Sequence, residues 1–128
     1  MGQPALTLLT DRTTYDAAYR ARYPEASIEV VDGTWSQAAQ LAKRQPPMFL
    51  LVAEIPCLLH DAPCRFSYAL VHSARRVGAP VAMVNGWLYG YTPPSRLDAI
   101  ETQLFGRDYL RAFDLLMVQT EEIAARLR

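Results

Sequence analysis

The chain has 128 residues and a mass of 14.4 kDa, the size of one domain and too short for two separate cores. Thirteen basic residues balance thirteen acidic ones, so the chain lacks the basic surplus with which most nucleic-acid-binding proteins capture phosphates. Its cysteines and histidines do not have zinc-site spacing. We expect no signal peptide, because the first four residues lack a charged start and an apolar run, and no apolar run approaches the roughly 20 residues of a membrane span. We expect one cytoplasmic domain over residues 1–128, with no metal, cofactor or nucleic-acid partner.

Short apolar segments alternate with amphipathic ones through the first half. Strands are predicted at residues 5–10, 27–31 and 48–53, and the last is apolar at every position, which is typical of a strand buried on both faces. Helices are predicted from Thr13 or Thr14 to about Tyr23, and over residues 35–44, where Thr34 is the capping residue.

The second half continues the same alternation. A helix over residues 65–77 ends at Gly78, and a strand follows at residues 80–84. Ser95 caps a helix through about Leu104, and Asp108 starts a short second one. A strand at residues 114–118 precedes a last helix capped by Thr120. Strict alternation with short connections predicts a single Rossmann-like, three-layer α/β/α domain with about five parallel strands.

Ligands in such folds bind beyond the carboxyl ends of the strands. Five residues lie at predicted strand ends and are the candidate substrate-binding residues: Thr10, Asp11, Glu54, Asn85 and Trp87. The carboxylate of Glu54 and the amide of Asn85 suit sugar hydroxyls, and Trp87 offers a ring for stacking. The turn at Thr10 and Asp11 precedes a helix start, where free backbone amides can hold an anion.

Two segments carry a specific resemblance to a known family. Residues 78–88, Gly-Ala-Pro-Val-Ala-Met-Val-Asn-Gly-Trp-Leu, resemble the part of bacterial 3-deoxy-D-manno-octulosonic acid (Kdo) transferases in which a Gly-x-Pro-Val strand ends in an Asn. Residues 113–122, Phe-Asp-Leu-Leu-Met-Val-Gln-Thr-Glu-Glu, resemble that family's next strand and helix. Residues 49–56 and 8–10 match other family segments more weakly, and the order of the segments holds over roughly residues 5–128.

The resemblance implies the acceptor-side domain of a GT-B glycosyltransferase, which moves Kdo from CMP-Kdo to a lipid A precursor at the inner face of the inner membrane. It therefore implies a lipid A-type acceptor, a donor-binding partner domain and peripheral membrane contact. The family's catalytic Glu lies upstream of every matched segment, and the family's loop Arg is Trp87 here. We therefore expect acceptor binding and assign no catalytic residue.

Two other functions remain open. Trp87, Tyr89 and Tyr91 suit a non-catalytic α/β module that forms homo-oligomers or binds a partner through aromatic side chains. The run Asp-Gly-Thr-Trp at residues 32–35 resembles the signature of the DTW-domain aminocarboxypropyltransferases that modify tRNA. Local structure is the competing explanation for that run, because Asp-Gly favours a turn and Thr34 a helix cap.

Overall fold

The computed structural model describes residues 5–53, 62–87 and 95–128. Strands and helices alternate in these residues, as the sequence predicts. In chain order they are β1 (Thr7–Thr10), α1 (Asp16–Arg22), β2 (Ser27–Val30), α2 (Trp35–Arg44), β3 (Leu50–Ala53), α3 (Ala62–Arg76), β4 (Val81–Gly86), α4 (Arg96–Arg111), β5 (Leu115–Val118) and α5 (Glu121–Leu127).

Every strand pairing is parallel. β1 pairs with β2, with Leu8 opposite Ile28, and β3, β4 and β5 pair in that order, with Val52 opposite Met83. The prediction of an α/β fold with parallel strands is confirmed. In the described ranges, however, the strands form two sheets, one of two strands and one of three, instead of the predicted single sheet.

The contact between α2 and α3 connects the β1–β2 unit with the rest of the chain. Two alanines allow the helices to approach closely: Ala38 of α2 is 1% exposed and Ala69 of α3 is 2% exposed. Both belong to a small apolar cluster that takes in the end of β2 and reaches β1, and its other members are Val31, Leu70, Leu9 and Leu41. The two sheets thus share a helical layer although they do not share backbone hydrogen bonds.

The main core lies between the three-stranded sheet and helices α3 and α4. Tyr109, near the end of α4, is fully buried and packs with Met83 of the central strand. The remaining buried members of this cluster are Val71, Ala74, Ala79, Val81, Ala112 and Phe113. Both helices therefore cover the same face of the sheet.

In the part of the chain that the structure describes, the flanking strands of the opposite face are half exposed, which corrects the prediction for β3. Side chains alternate across a strand, and Leu50 and Val52 pack against the core while Leu51 is 51% exposed. The prediction of burial on both faces is wrong for this strand. Helix α1 buries none of its side chains, so it does not supply the third layer in the part of the chain that the structure describes.

Three of the predicted helix caps are present. The hydroxyls of Thr34, Ser95 and Thr120 accept hydrogen bonds from the backbone N–H of residues 37, 98 and 123. Each bond satisfies an amide that the helix itself leaves unpaired.

Two predicted helix boundaries are wrong. Neither Thr13 nor Thr14 caps α1, which begins at Asp16 after Tyr15 without a side-chain cap. Helix α4 runs without interruption from Arg96 to Arg111, so Asp108 does not start a second helix. Tertiary contacts at Tyr109 outweigh the low helix propensity of Gly106.

Gly78 follows the end of α3 and has a left-handed backbone with φ of +80°, which residues with a Cβ rarely adopt. A Cβ placed there would meet no atom within 4 Å, so only backbone strain opposes a substitution. We expect Gly78→Ala to lower the free energy of unfolding by about 1 kcal/mol. Gly78→Asn is the control and should cost less, because Asn tolerates this conformation. Equal stability of Gly78→Ala and the wild type in urea denaturation would contradict the prediction.

Asp114 joins the start of β5 to β4 and α3. Its carboxylate accepts a hydrogen bond from Val81 N at 2.8 Å and another from Arg75 Nη1 at 2.6 Å. The Val81 amide, and then Arg75, hold the pKa of Asp114 below its ordinary value.

A carboxyl whose pKa is lowered by folding stabilises the protein above its unfolded pKa of about 4, and this contribution is lost as the pH falls through the folded pKa. We expect Asp114→Asn to be less stable than the wild type at pH 7, with the difference shrinking below about pH 4. Thermal unfolding of both proteins from pH 7 to pH 3 measures this, and a constant difference would refute it.

Candidate functional site: the carboxyl ends of the strands

The segments that carry the family resemblance meet at one edge of the three-stranded sheet. β4 ends in Asn85 and Gly86, and β5 ends just before Gln119. Gln119 N donates a hydrogen bond to the carbonyl oxygen of Gly86 at 3.0 Å. Residues 78–87 and 113–122 therefore form adjacent parallel strands whose ends are joined.

Asn85 has an unusual backbone at this edge. Its φ is +54°, and among the described residues it is the one non-glycine residue in the left-handed region. The pairing of β4 with β5 is irregular between Met83 and Gly86, the stretch that contains Asn85. Asn tolerates such a backbone better than most residues. The Asn85 side chain is exposed and the neighbouring Trp87 is half-buried.

Thr10 and Asp11 lie at the end of β1, in the other sheet. The Thr10 hydroxyl donates to the carbonyl oxygen of Arg12 at 3.0 Å and accepts from Arg12 N at 3.3 Å, so it stabilises its own turn. Asp11 forms a surface ion pair with Arg12 at 2.7 Å. The Arg12 guanidinium holds the pKa of Asp11 below its ordinary value. No hydrogen bond joins this turn to Asn85 or Trp87 in the described ranges.

Glu54 lies outside the described residues, and so do Tyr89 and Tyr91. The predicted proximity of Glu54 and Asn85 therefore stays a prediction. β3, which Glu54 follows directly, pairs with β4 so that Ala53 lies opposite Val84. The backbone register thus leads β3 and β4 to the same edge.

The Asp-Gly-Thr-Trp run forms a helix-capping turn. Asp32 Oδ1 accepts hydrogen bonds from Thr34 N at 2.8 Å and from Thr34 Oγ1 at 2.7 Å, and the Thr34 amide is the main reason that the pKa of Asp32 is lowered. Gly33 has φ of +74°. The structural explanation of this run accounts for the Asp, the Gly and the Thr.

Trp35 belongs to an aromatic cluster that the sequence analysis missed. Its ring meets Tyr68 edge-on at 5.7 Å and His72 at 6.0 Å, and Arg76 lies over it at 5.3 Å. Residues 68, 72 and 76 recur every four positions, so they share one face of α3. That spacing is visible in the sequence and predicts a common face, although not its partner on α2.

Asp108 of α4 completes this cluster. Its Oδ2 atom accepts a hydrogen bond from the Tyr68 hydroxyl at 2.9 Å. Burial, and then the Asp108 carboxylate, raise the pKa of Tyr68 to about 12, so the phenol remains a donor. His72 Nε2 lies 3.2 Å from the same oxygen without hydrogen-bond geometry. The cluster holds α2, α3 and α4 together.

The described residues contain a shallow cleft of about 280 Å³ between β2 and α2, away from the ends of β4 and β5. Glu29 and Arg44 form an ion pair at 2.9 Å on its wall. In residues 5–53, 62–87 and 95–128, no three His, Cys, Asp or Glu side chains are placed to hold a metal ion. No helix in those ranges is long and apolar enough to cross a bilayer.

The fold and the edge at Asn85 define a parallel α/β protein with a polar strand end. Comparison with protein-family models, with curated proteins and with solved structures found no match.

Proposed function

We propose that this chain is the acceptor-side domain of a Kdo-transferase-type glycosyltransferase. The observation that carries the proposal is the junction of the two resembling segments, where Gln119 N bonds to the carbonyl of Gly86 beside Asn85. Strand ends of parallel sheets are where α/β proteins bind ligands. The lipid A precursor is the proposed acceptor, and the inner face of the inner membrane is the proposed location.

The proposal includes a single Rossmann-like sheet. Hydrogen bonding between β1 and β3 would join the two observed sheets in the order β2-β1-β3-β4-β5, which is a common order in doubly wound folds. The packing of α2 on α3 supports this arrangement, because Leu9 of β1 belongs to the cluster between these helices and β3 contacts α3.

Acceptor binding is the role proposed for the strand ends. The exposed Asn85 amide offers one acceptor and two donors to sugar hydroxyls, and Trp87 offers a flat apolar surface. In the transfer itself, a base outside the matched segments removes the proton from the acceptor hydroxyl. The oxygen then bonds to the anomeric carbon of Kdo, and CMP leaves with the electrons of the broken bond.

Tryptophan fluorescence tests the proposal directly, because the sequence holds two tryptophans, Trp35 and Trp87. In a Trp35→Phe background, the emission comes from Trp87 alone, at the end of β4. We expect a saturable change on titration with the lipid A precursor in detergent. Asn85→Gly keeps the left-handed backbone accessible while removing the amide, and it should weaken binding about tenfold, the equivalent of about 1.4 kcal/mol.

A phospholipid without a glucosamine headgroup is the matched control ligand. An equal fluorescence response to that phospholipid, or no saturable response to the lipid A precursor, would refute acceptor recognition at the carboxyl ends of the strands. Unchanged affinity in Asn85→Gly would refute the role of the amide.

A further inference from the structure

Within residues 5–53, 62–87 and 95–128, α3 and α4 cover one face of the three-stranded sheet, and the other face is apolar and partly exposed. Strand register and side-chain alternation place six residues on it, and we call them the open sheet face: Leu51, Ala53, Ala82, Val84, Leu115 and Met117. The small Ala82 lies in the central strand between Leu51 and Leu115 and is 3% exposed, so the exposed area belongs to the flanking strands. Leu115 is 52% exposed and Met117 45% exposed. None of the six is ionisable. Parallel sheets are normally covered by helices on both faces, so this face has the character of a buried layer without its cover.

A second apolar surface lies on α4. Leu97, Ile100 and Leu104 follow one another at intervals of three and four residues, so they form a single stripe, which we call the α4 stripe. Leu97 is 78% exposed and Leu104 65% exposed. At 3.6 residues per turn, the stripe lies on the side of the helix opposite Tyr109. Because Tyr109 packs on the sheet, the stripe points away from it.

The two surfaces are complementary and face in opposite directions. One is a sheet face that lacks a helix, and the other is the apolar side of a helix that lacks a second partner. We infer that the chain associates head to tail, with the α4 stripe of one copy covering the open sheet face of the next. Each contact completes a helix–sheet–helix sandwich around a sheet that the described helices of one chain cover on one side.

A second copy fits this face better than a charged partner does, because the face offers no ionisable group to complement. The three stripe residues together expose on the order of 350 Å², less than half of the ~800 Å² that each partner buries in a standard interface. The association is therefore weak and depends on concentration. Because the contact is heterologous, it extends beyond a dimer unless the rotation closes a ring.

Sedimentation velocity of the full chain over a range of concentrations measures this association. We expect the weight-average mass to rise through dimer and higher species. Leu104→Arg places a charge in the α4 stripe, and Leu115→Glu places a charge on the open sheet face. Each substitution should weaken self-association at least tenfold. Gln40→Arg adds a charge to an exposed position on α2 and is the control that should leave it unchanged. Met117→Gln is a milder sheet-face variant should Leu115→Glu not fold by circular dichroism.

Mixing the two variants gives the decisive result. Leu104→Arg keeps its sheet face and Leu115→Glu keeps its stripe, so together they should form a 1:1 heterodimer that grows no further. A wild type that is monomeric at every concentration would overturn the inference. So would a variant that still self-associates on its own, since dimers of Leu115→Glu indicate a stripe-to-stripe contact and dimers of Leu104→Arg indicate a face-to-face contact. Binding of a monomeric wild type to anionic vesicles, lost in Leu104→Arg, would also overturn the inference, because the α4 stripe would then be a membrane-binding surface.

Discussion

Tyr109→Ala should lower the free energy of unfolding by about 3–5 kcal/mol, the range for removing a large buried aromatic side chain. Tyr109 is fully buried, its ring lies 5.9 Å from Tyr68 and 5.2 Å from Phe113, and its hydroxyl is 2.7 Å from Ser67 Oγ. The substitution leaves a cavity between α3, α4 and the sheet. Since domains of this size are stable by about 5–15 kcal/mol, a loss of this size removes a large part of the total.

Tyr109→Phe separates packing from hydrogen bonding. It keeps the ring contacts and removes the hydroxyl, so we expect a loss of about 1 kcal/mol. Urea denaturation followed by circular dichroism measures both variants. A loss below about 1 kcal/mol for Tyr109→Ala would show that α4 does not pack on the sheet as described.

The elements that the sequence predicted best are those specified by local signals. Helix α2 spans Trp35 to Arg44, as predicted, because Thr34 caps its start and the prolines at positions 46 and 47 prevent its continuation. The end of α3 at Gly78 was predicted for a similar reason, since a left-handed residue is needed there.

Features set by tertiary contacts were predicted less well. An unbroken apolar run cannot reveal whether both faces of β3 are covered, because coverage depends on elements distant in sequence. The strict alternation of elements predicted parallel pairing, but it does not specify whether β1 and β3 are hydrogen-bonded. Helix α4 passes through Gly106 because the buried Tyr109 fixes the following turn.

In the candidate site, too, local signals predicted some features and tertiary contacts determine the others. The position of Asn85 at a strand end follows from the apolar pattern, whereas its positive φ and the irregular pairing beside it depend on how β4 meets β5. The spacing of residues 68, 72 and 76 predicts a shared helix face. The approach of Asp108 to that face follows only from the packing of α4 on α3.

Ala69→Leu should destabilise the protein by about 1–3 kcal/mol, the usual cost of overpacking a tight contact. Ala69 is 2% exposed and belongs to the same cluster as Ala38 of α2, so a larger side chain forces α2 away from α3. This contact connects the two sheets, and its loosening should affect β1 and β2 most. We therefore expect hydrogen exchange to increase more at residues 7–10 and 27–30 than at residues 81–86. Ala99→Leu at an exposed position of α4 is the matched control, and uniform protection in Ala69→Leu would show that the two sheets do not depend on this helix contact.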